Sequence, residues 1–206
     1  MDLIGLVLHL DTRLLGLVAE YGAWVYAILF AIIFCETGLV VTPFLPGDSL
    51  LFVAGTVAAG GALDAHGLAA LMVLAAFLGN SANYAIGHAL GGWFRGPGKR
   101  WLNPAHLARA REFYERHGGS AVVISRFIPI VRTYVPFVAG LGSMAPGRFT
   151  AYNAAGAVAW VGLLVYGGYF FGNISWVRQN LSFIIVGIVV ASLVPAAVAL
   201  LQSRRS

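Results

Sequence analysis

Glu36-Thr-Gly-Leu-Val-Val-Thr-Pro-Phe-Leu-Pro-Gly-Asp48 decides how this chain is read, because it sets two carboxylates, two prolines and two glycines inside an apolar stretch. Before it, Tyr21 to Phe34 carries no charge, and after it neither does Ser49 to Ala59. An apolar arm of about 14 residues makes about 21 Å of helix, short of the ~30 Å hydrocarbon core of a bilayer. Neither arm can cross alone, so residues 21–64 read as a re-entrant helical hairpin with Pro43, Pro46 and Gly47 in its turn. Broken backbone at membrane depth must be buried in protein or line a wet cavity.

A second segment has the same build. Ala121 to Ser125 leads into Arg126-Phe-Ile-Pro-Ile-Val-Arg132-Thr-Tyr-Val-Pro136, which is followed by Phe137 to Ser143. Residues 120–146 are the second predicted hairpin, with Pro129, Pro136 and Gly140 at its turn. Phe52-Val-Ala-Gly55 and Phe137-Val-Ala-Gly140 repeat one fragment, and each is followed by a long apolar helix. Short paired segments broken by Pro and Gly in two halves of a transporter mark the binding site and suggest an inverted repeat.

Composition agrees with a membrane solvent. Of 206 residues 59% are hydrophobic and only 10% charged, against about 25% charged in soluble domains, and the mean hydropathy is +0.82. The fold class predicted is an all-α integral membrane protein in one membrane domain, 1–206. Residues 1–20 form an interfacial segment, and spanning helices cover 65–90, 147–172 and 178–203. Met1-Asp2 lacks the positive start of a secretory signal, so the N-terminus is expected to be retained.

Between the halves, residues 91–119 carry Arg95, Lys99, Arg100, Arg109, Arg111 and Arg116 against Glu112 and Glu115. Basic loops stay cytoplasmic. Asn103-Pro104 reads as a helix start and Gly118 as its stop, with Leu107, Ala110, Phe113 and Tyr114 on one face for the membrane surface. Counting crossings from this loop puts Arg204 and Arg205 inside, and the two hairpins enter from opposite faces. The net charge of +5 is thus topological, and no nucleic-acid partner is expected.

Glu36, Asp48, Arg126 and Arg132 are the ionisable residues within the hairpins, and a charge facing lipid costs about 3 kcal/mol or more. They must face one another, water or a substrate. Two arginine forks can grip a phosphate, and a carboxylate can exchange protons. One carboxylate is expected to pair with arginine and the other to titrate; Glu36 is assigned the titrating role, since Asp48 can cap the helix from Ser49. Asn80, Asn83, Tyr84 and Gly87 share one helix face, lining a polar path or bonding between helices. His88 is expected at the interface, and the single Cys35 is a packing residue. Neither a nucleophile with a base nor a metal set is visible, so no enzyme, metal or cofactor is expected. A lipid-phosphate carrier, a proton-coupled cation exchanger and a scaffold all fit these charges, and glycine-rich helices permit a homo-oligomer.

Four signatures in order, E-T-G-L-V-V-T-P-F-L-P-G-D, Gly79-Asn80 with Tyr84 and Gly87, Arg126-x5-Arg132, and Pro136-x3-Gly140, resemble the DedA family of bacterial membrane proteins over Tyr21 to Phe171. The resemblance implies transport of an anionic polyprenyl phosphate, chiefly undecaprenyl phosphate, across the bacterial cytoplasmic membrane, coupled to the proton gradient. Related eukaryotic domains are lipid scramblases. It further implies that Glu36 and Asp48 are the family's acidic pair and Arg126 and Arg132 its arginine pair, with membrane lipids and protons as the partners.

Overall fold

The computed structural model describes residues 10–39, 47–90, 112, 115–142, 144–174 and the single positions 176, 184 and 187. Among them every regular element is helical: α1 (Leu10–Tyr21), α2 (Trp24–Gly38), α3 (Gly47–Ala59), α4 (Ala65–Leu90), α5 (Ala121–Ile124), α6 (Pro129–Leu141) and α7 (Pro146–Gly172). Short 3-10 turns occupy Gly118–Ser120 and Ser125–Phe127.

Two of these helices, α4 with 26 residues and α7 with 27, are long and apolar enough to cross a membrane. At 1.5 Å per residue each reaches about 40 Å. The Asp64 carboxylate starts α4 by accepting the Gly67 N–H, and Pro146 opens α7 where no donor is needed. Helix stops are equally local. Gly118 takes φ +57° after the helical residues 115–117, a left-handed conformation that suits glycine. The third expected span at 178–203, apart from isolated positions, lies outside the described residues. So do Pro43, Pro46, residues 91–111 and the start of the interfacial segment.

Both breaks are shorter than the sequence suggests. α2 continues through Glu36 and Thr37 to Gly38, and α3 begins at Gly47. Gly47 and Asp48 therefore sit in a first helical turn and not in the predicted hairpin turn. In the second predicted hairpin the arm before the break is only α5 plus a 3-10 turn. Its exit helix α6 starts at Pro129, after extended Ile128 at φ −122° and ψ 103°. Pro136 and Gly140, expected at the turn, lie inside α6. The reason is that unpaired backbone is expensive where water is scarce. Pro136 sacrifices one i to i−4 bond, which costs less than unwinding its neighbours.

The chain folds as two compact units. Unit 1 comprises Met1–Ile32, Leu45–Leu74 and Ala159–Ser206; unit 2 comprises Ile33–Phe44 and Ala75–Val158. In unit 1 the core holds Val25, Leu29, Leu51, Val53, Leu68, Met72, Val161 and Val165. There α3 crosses α7 backbone to backbone: Gly55 lies against the Val165 carbonyl and Tyr169 amide, and Gly168 against the Phe52 carbonyl. In unit 2 the core gathers Ala121, Val122, Tyr134, Val135, Val138, Ala139, Met144 and Phe149. There α6 crosses α4 in the same manner, with Gly140 against the Tyr84 carbonyl and His88 amide, and Gly87 against the Phe137 carbonyl. Glycine lets backbones meet at these points because any Cβ would overlap a main-chain atom.

Candidate functional site

Among the described residues, every charged side chain that is fully buried belongs to unit 2: Glu36, Arg126 and Arg132, with relative exposures of 0%, 3% and 8%. Glu36 occupies the last turn of α2, and Arg132 the first turn of α6. Arg132 Nη2 donates to Glu36 Oε1 as an ion pair. A buried charge needs such a partner, and removing one member costs about 3–5 kcal/mol.

Arg126 is held differently. It ends up in the 3-10 turn before Pro129, and its stem runs past Gly156, where an added Cβ would lie 3.1 Å from Arg126 Cδ and Nε. Its Nη2 donates to Asn153 Oδ1 at 2.7 Å and to the Ala76 carbonyl at 3.2 Å. Oriented as its neighbours require, the Asn80 amide accepts from the same Nη2 at 3.0 Å and donates to the Thr37 carbonyl at 3.2 Å. All three of these acceptors are neutral. Asn153 in turn donates to the Phe77 carbonyl at 3.0 Å and to Ser81 Oγ at 3.1 Å.

The polar stripe of α4 makes bonds between helices. Asn83 Nδ2 donates to the Thr133 carbonyl at 2.8 Å and more weakly to the Thr37 carbonyl at 3.4 Å, while its buried Oδ1 has no donor among the described residues. Tyr84 donates its hydroxyl to the Met144 carbonyl and stacks on Phe149 at 4.2 Å. His88 is exposed and its ring lies 6.1 Å from that of Tyr84. Cys35 is half-buried, and no group of three potential metal ligands occurs among the described residues.

Asp48 lies in unit 1, half-buried in the first turn of α3, where its Oδ1 accepts from Trp160 Nε1 at 3.0 Å. A carboxylate there also meets the positive end of the α3 dipole. Unit 2 thus assembles three of the four charges that the sequence singles out. The titrating role assigned to Glu36 assumed that it stands apart from arginine, whereas Arg132 is its partner. Sequence reasoning missed Asn153 and Trp160. The first could have been noticed, as it is the one amide in the apolar stretch from Phe149 to Phe171.

The chain has relatives among known proteins. Residues 45–170 match the VTT domain. Over 207 residues, covering 99% of this chain and 94% of the relative, the chain is 51% identical to "Protein DedA" of Escherichia coli (strain K12). An "Uncharacterized membrane protein" of Mycobacterium leprae (strain TN) is 38% identical over 85% of this chain and 79% of its own length. "Inner membrane protein YqjA" of Escherichia coli (strain K12) is 40% identical over 72% of this chain and 68% of its own length. No solved structure matches.

Proposed function

We propose that this chain, which belongs to the DedA family of VTT-domain membrane proteins, carries an anionic polyprenyl phosphate across the bacterial inner membrane, coupled to the proton gradient. The observation that supports this most is the buried trio of unit 2, where Arg126 rests on neutral oxygens and Arg132 is matched by Glu36. A phosphate entering there meets two guanidiniums and one competing carboxylate. Protonation of Glu36 would release Arg132 to the phosphate, so proton and phosphate would favour each other's binding by linkage. On this reading Glu36 keeps the titrating role through its arginine. Asp48, on Trp160, stabilises the start of α3. The polyprenyl tail stays in lipid, and Asn83 Oδ1 offers a polar path one acceptor.

The scaffold belongs to the same proposal: a multi-pass membrane domain, two re-entrant hairpins and an inverted repeat. The repeated glycine crossing supports it, because Gly55 meets Val165 and Tyr169 as Gly140 meets Tyr84 and His88, with partners at the same spacing. A cysteine at Lys99 should be labelled only from the cytoplasm and one at Asp64 only from outside; reversed labelling at both would overturn the orientation.

The Glu36–Arg132 pair also suits a second reading, a proton-coupled cation exchanger whose arginines only balance charge. Proteoliposomes decide between them. Protein that moves polyprenyl phosphate, with Glu36→Gln abolishing the response to an imposed pH gradient, is the expected result. Movement of cations without lipid phosphate would favour the exchanger, and equal movement of phosphatidylethanolamine would favour a general scramblase.

A further inference from the structure

Five of the described helix ends of unit 1 come together. Only Gly22 and Ala23 separate α1 from α2, and only residues 60–64 separate α3 from α4. The Tyr26 hydroxyl of α2 accepts the Asp64 N–H at 2.8 Å and so joins the two links. Two contacts bring in the end of α7. His66 Nδ1 and the Tyr166 hydroxyl share a hydrogen bond of 2.8 Å, and a Cβ added at Gly172 would lie 2.8 Å from Thr56 Cα.

The groups on this end call for different surroundings. Tyr21, Trp24, Phe170 and Phe171 stand 45–74% exposed on it, and Glu20, Asp64 and His66 beside them are exposed as well. Helix ends also leave backbone N–H and C=O groups without intrahelical partners, and these need water or other polar groups. Hydrocarbon suits the rings but not the charges or the helix ends, and bulk water suits the charges but not four large rings. Away from this end, the exposed large apolar side chains of unit 1 among the described residues are aliphatic, Leu74 of α4 and Leu163 of α7. The exposed surface therefore changes along α7 from aliphatic to aromatic and polar.

We propose that this end of unit 1 is a lipid-contact surface for the headgroup layer of the bilayer, with the rings of Tyr21, Trp24, Phe170 and Phe171 among headgroups and glycerol and with Glu20, Asp64 and His66 toward water. Aromatic rings settle at that boundary because one part of them is apolar and another part polar. The seat also sets a depth. At ~1.5 Å per residue Leu163 lies about 13 Å along α7 from Gly172, and Asp48 about 12 Å along α3 from Thr56. Half of a hydrocarbon core is about 15 Å. The hydrogen bond from Trp160 to Asp48 then lies near the middle of the membrane, and α3 starts there without crossing. This deepens the scaffold part of the reading above and does not depend on which lipid is carried.

The test places a nitroxide on single cysteines, Trp24→Cys, Phe171→Cys and Leu163→Cys, in full-length protein carrying Cys35→Ser. The protein is reconstituted in vesicles of phosphatidylethanolamine and phosphatidylglycerol. Depth is read from collisions with oxygen, which concentrates in hydrocarbon, against collisions with a nickel chelate, which stays in water. All three positions are exposed, so the variants leave the core intact. Labels at 24 and 171 should report the headgroup level, and the label at 163 should lie deeper by about 13 Å. Labels at 24 and 171 that meet the chelate as freely as a label on a soluble peptide would overturn the proposal, because that end would then project into water and suit a soluble partner. Labels at 24 or 171 as deep as the one at 163 would overturn it too. If a cysteine variant does not fold, Trp24 serves as the only tryptophan, with phenylalanine at 93, 101, 160 and 176. Lipids brominated near the ester should quench it more than lipids brominated at the chain end, and the opposite order, or equal quenching, would overturn the proposal. Failure to transport polyprenyl phosphate leaves these depths as expected, so the carrier reading and this one fail separately.

Discussion

Unit 1 and unit 2 use one helix crossing to hold different chemistry. In both, a Phe-Val-Ala-Gly segment lies on a long apolar helix with glycine on each side of the contact. Unit 1 surrounds its crossing with aliphatic side chains and gives Asp48 an indole donor. Unit 2 surrounds the same crossing with two guanidiniums, a carboxylate and three amides. The comparison separates scaffold from site: backbone packing through glycine repeats, while the fully buried charged side chains among the described residues are confined to one copy.

The largest expected difference lies in the carboxylates. Glu36→Gln leaves Arg132 without its counter-charge and should lower stability by about 3–5 kcal/mol. Adding Arg132→Gln should recover part of that loss in thermal unfolding. Saturating polyprenyl phosphate should also relieve the single variant, because a ligand that binds only the folded state stabilises it. A Glu36→Gln protein as stable as wild type without ligand would show that the pair contributes little, and the contrast with unit 1 would weaken.

Glycine tests the similarity. Gly87→Val and Gly168→Val each force side-chain atoms into a main-chain contact and should each cost about 3 kcal/mol, the upper range for overpacking. Matched losses would sharpen the equivalence of the two crossings. A large loss at one and none at the other would break it.

Arg126→Lys separates holding the site from using it. An ammonium has three donors for the Asn153, Asn80 and Ala76 oxygens that now share Nη2, so the variant should fold close to normally. It lacks the planar fork that suits a phosphate, and transport should fall by about tenfold, or ~1.4 kcal/mol. Full transport by Arg126→Lys and Arg132→Lys together would mean that only positive charge is needed.

The smallest effect is expected in unit 1. Asp48→Ala and Trp160→Phe each remove a partly solvated hydrogen bond worth about 1 kcal/mol. If they act through the bond they share, the double variant should cost little more than either single one. Strict additivity of the two losses would dissolve the pair.

The sequence by itself determined the solvent, the class and most helix boundaries, because these depend on neighbours within a turn or two. An apolar run from Ala65 to Leu90 leaves a backbone in lipid no alternative to helix, and Pro129 and Pro146 can occupy only the opening turns they take. The same local logic overestimated the breaks at Gly47, Pro136 and Gly140, where packing against another helix keeps the chain wound. Which charge meets which partner was decided only by the tertiary structure. Glu36 finds Arg132 across 96 residues and Asp48 finds Trp160 across 112. Nothing in the spacing of the four charges ranks those partners above others. Asn153 shows the same limit from the other side: in sequence it is one amide in an apolar helix, and it acquires its partner only when folding sets it 2.7 Å from a buried guanidinium. Hydropathy and helix breaking are properties of a segment, whereas a buried charge takes its meaning from groups that distant segments bring to it in a low dielectric.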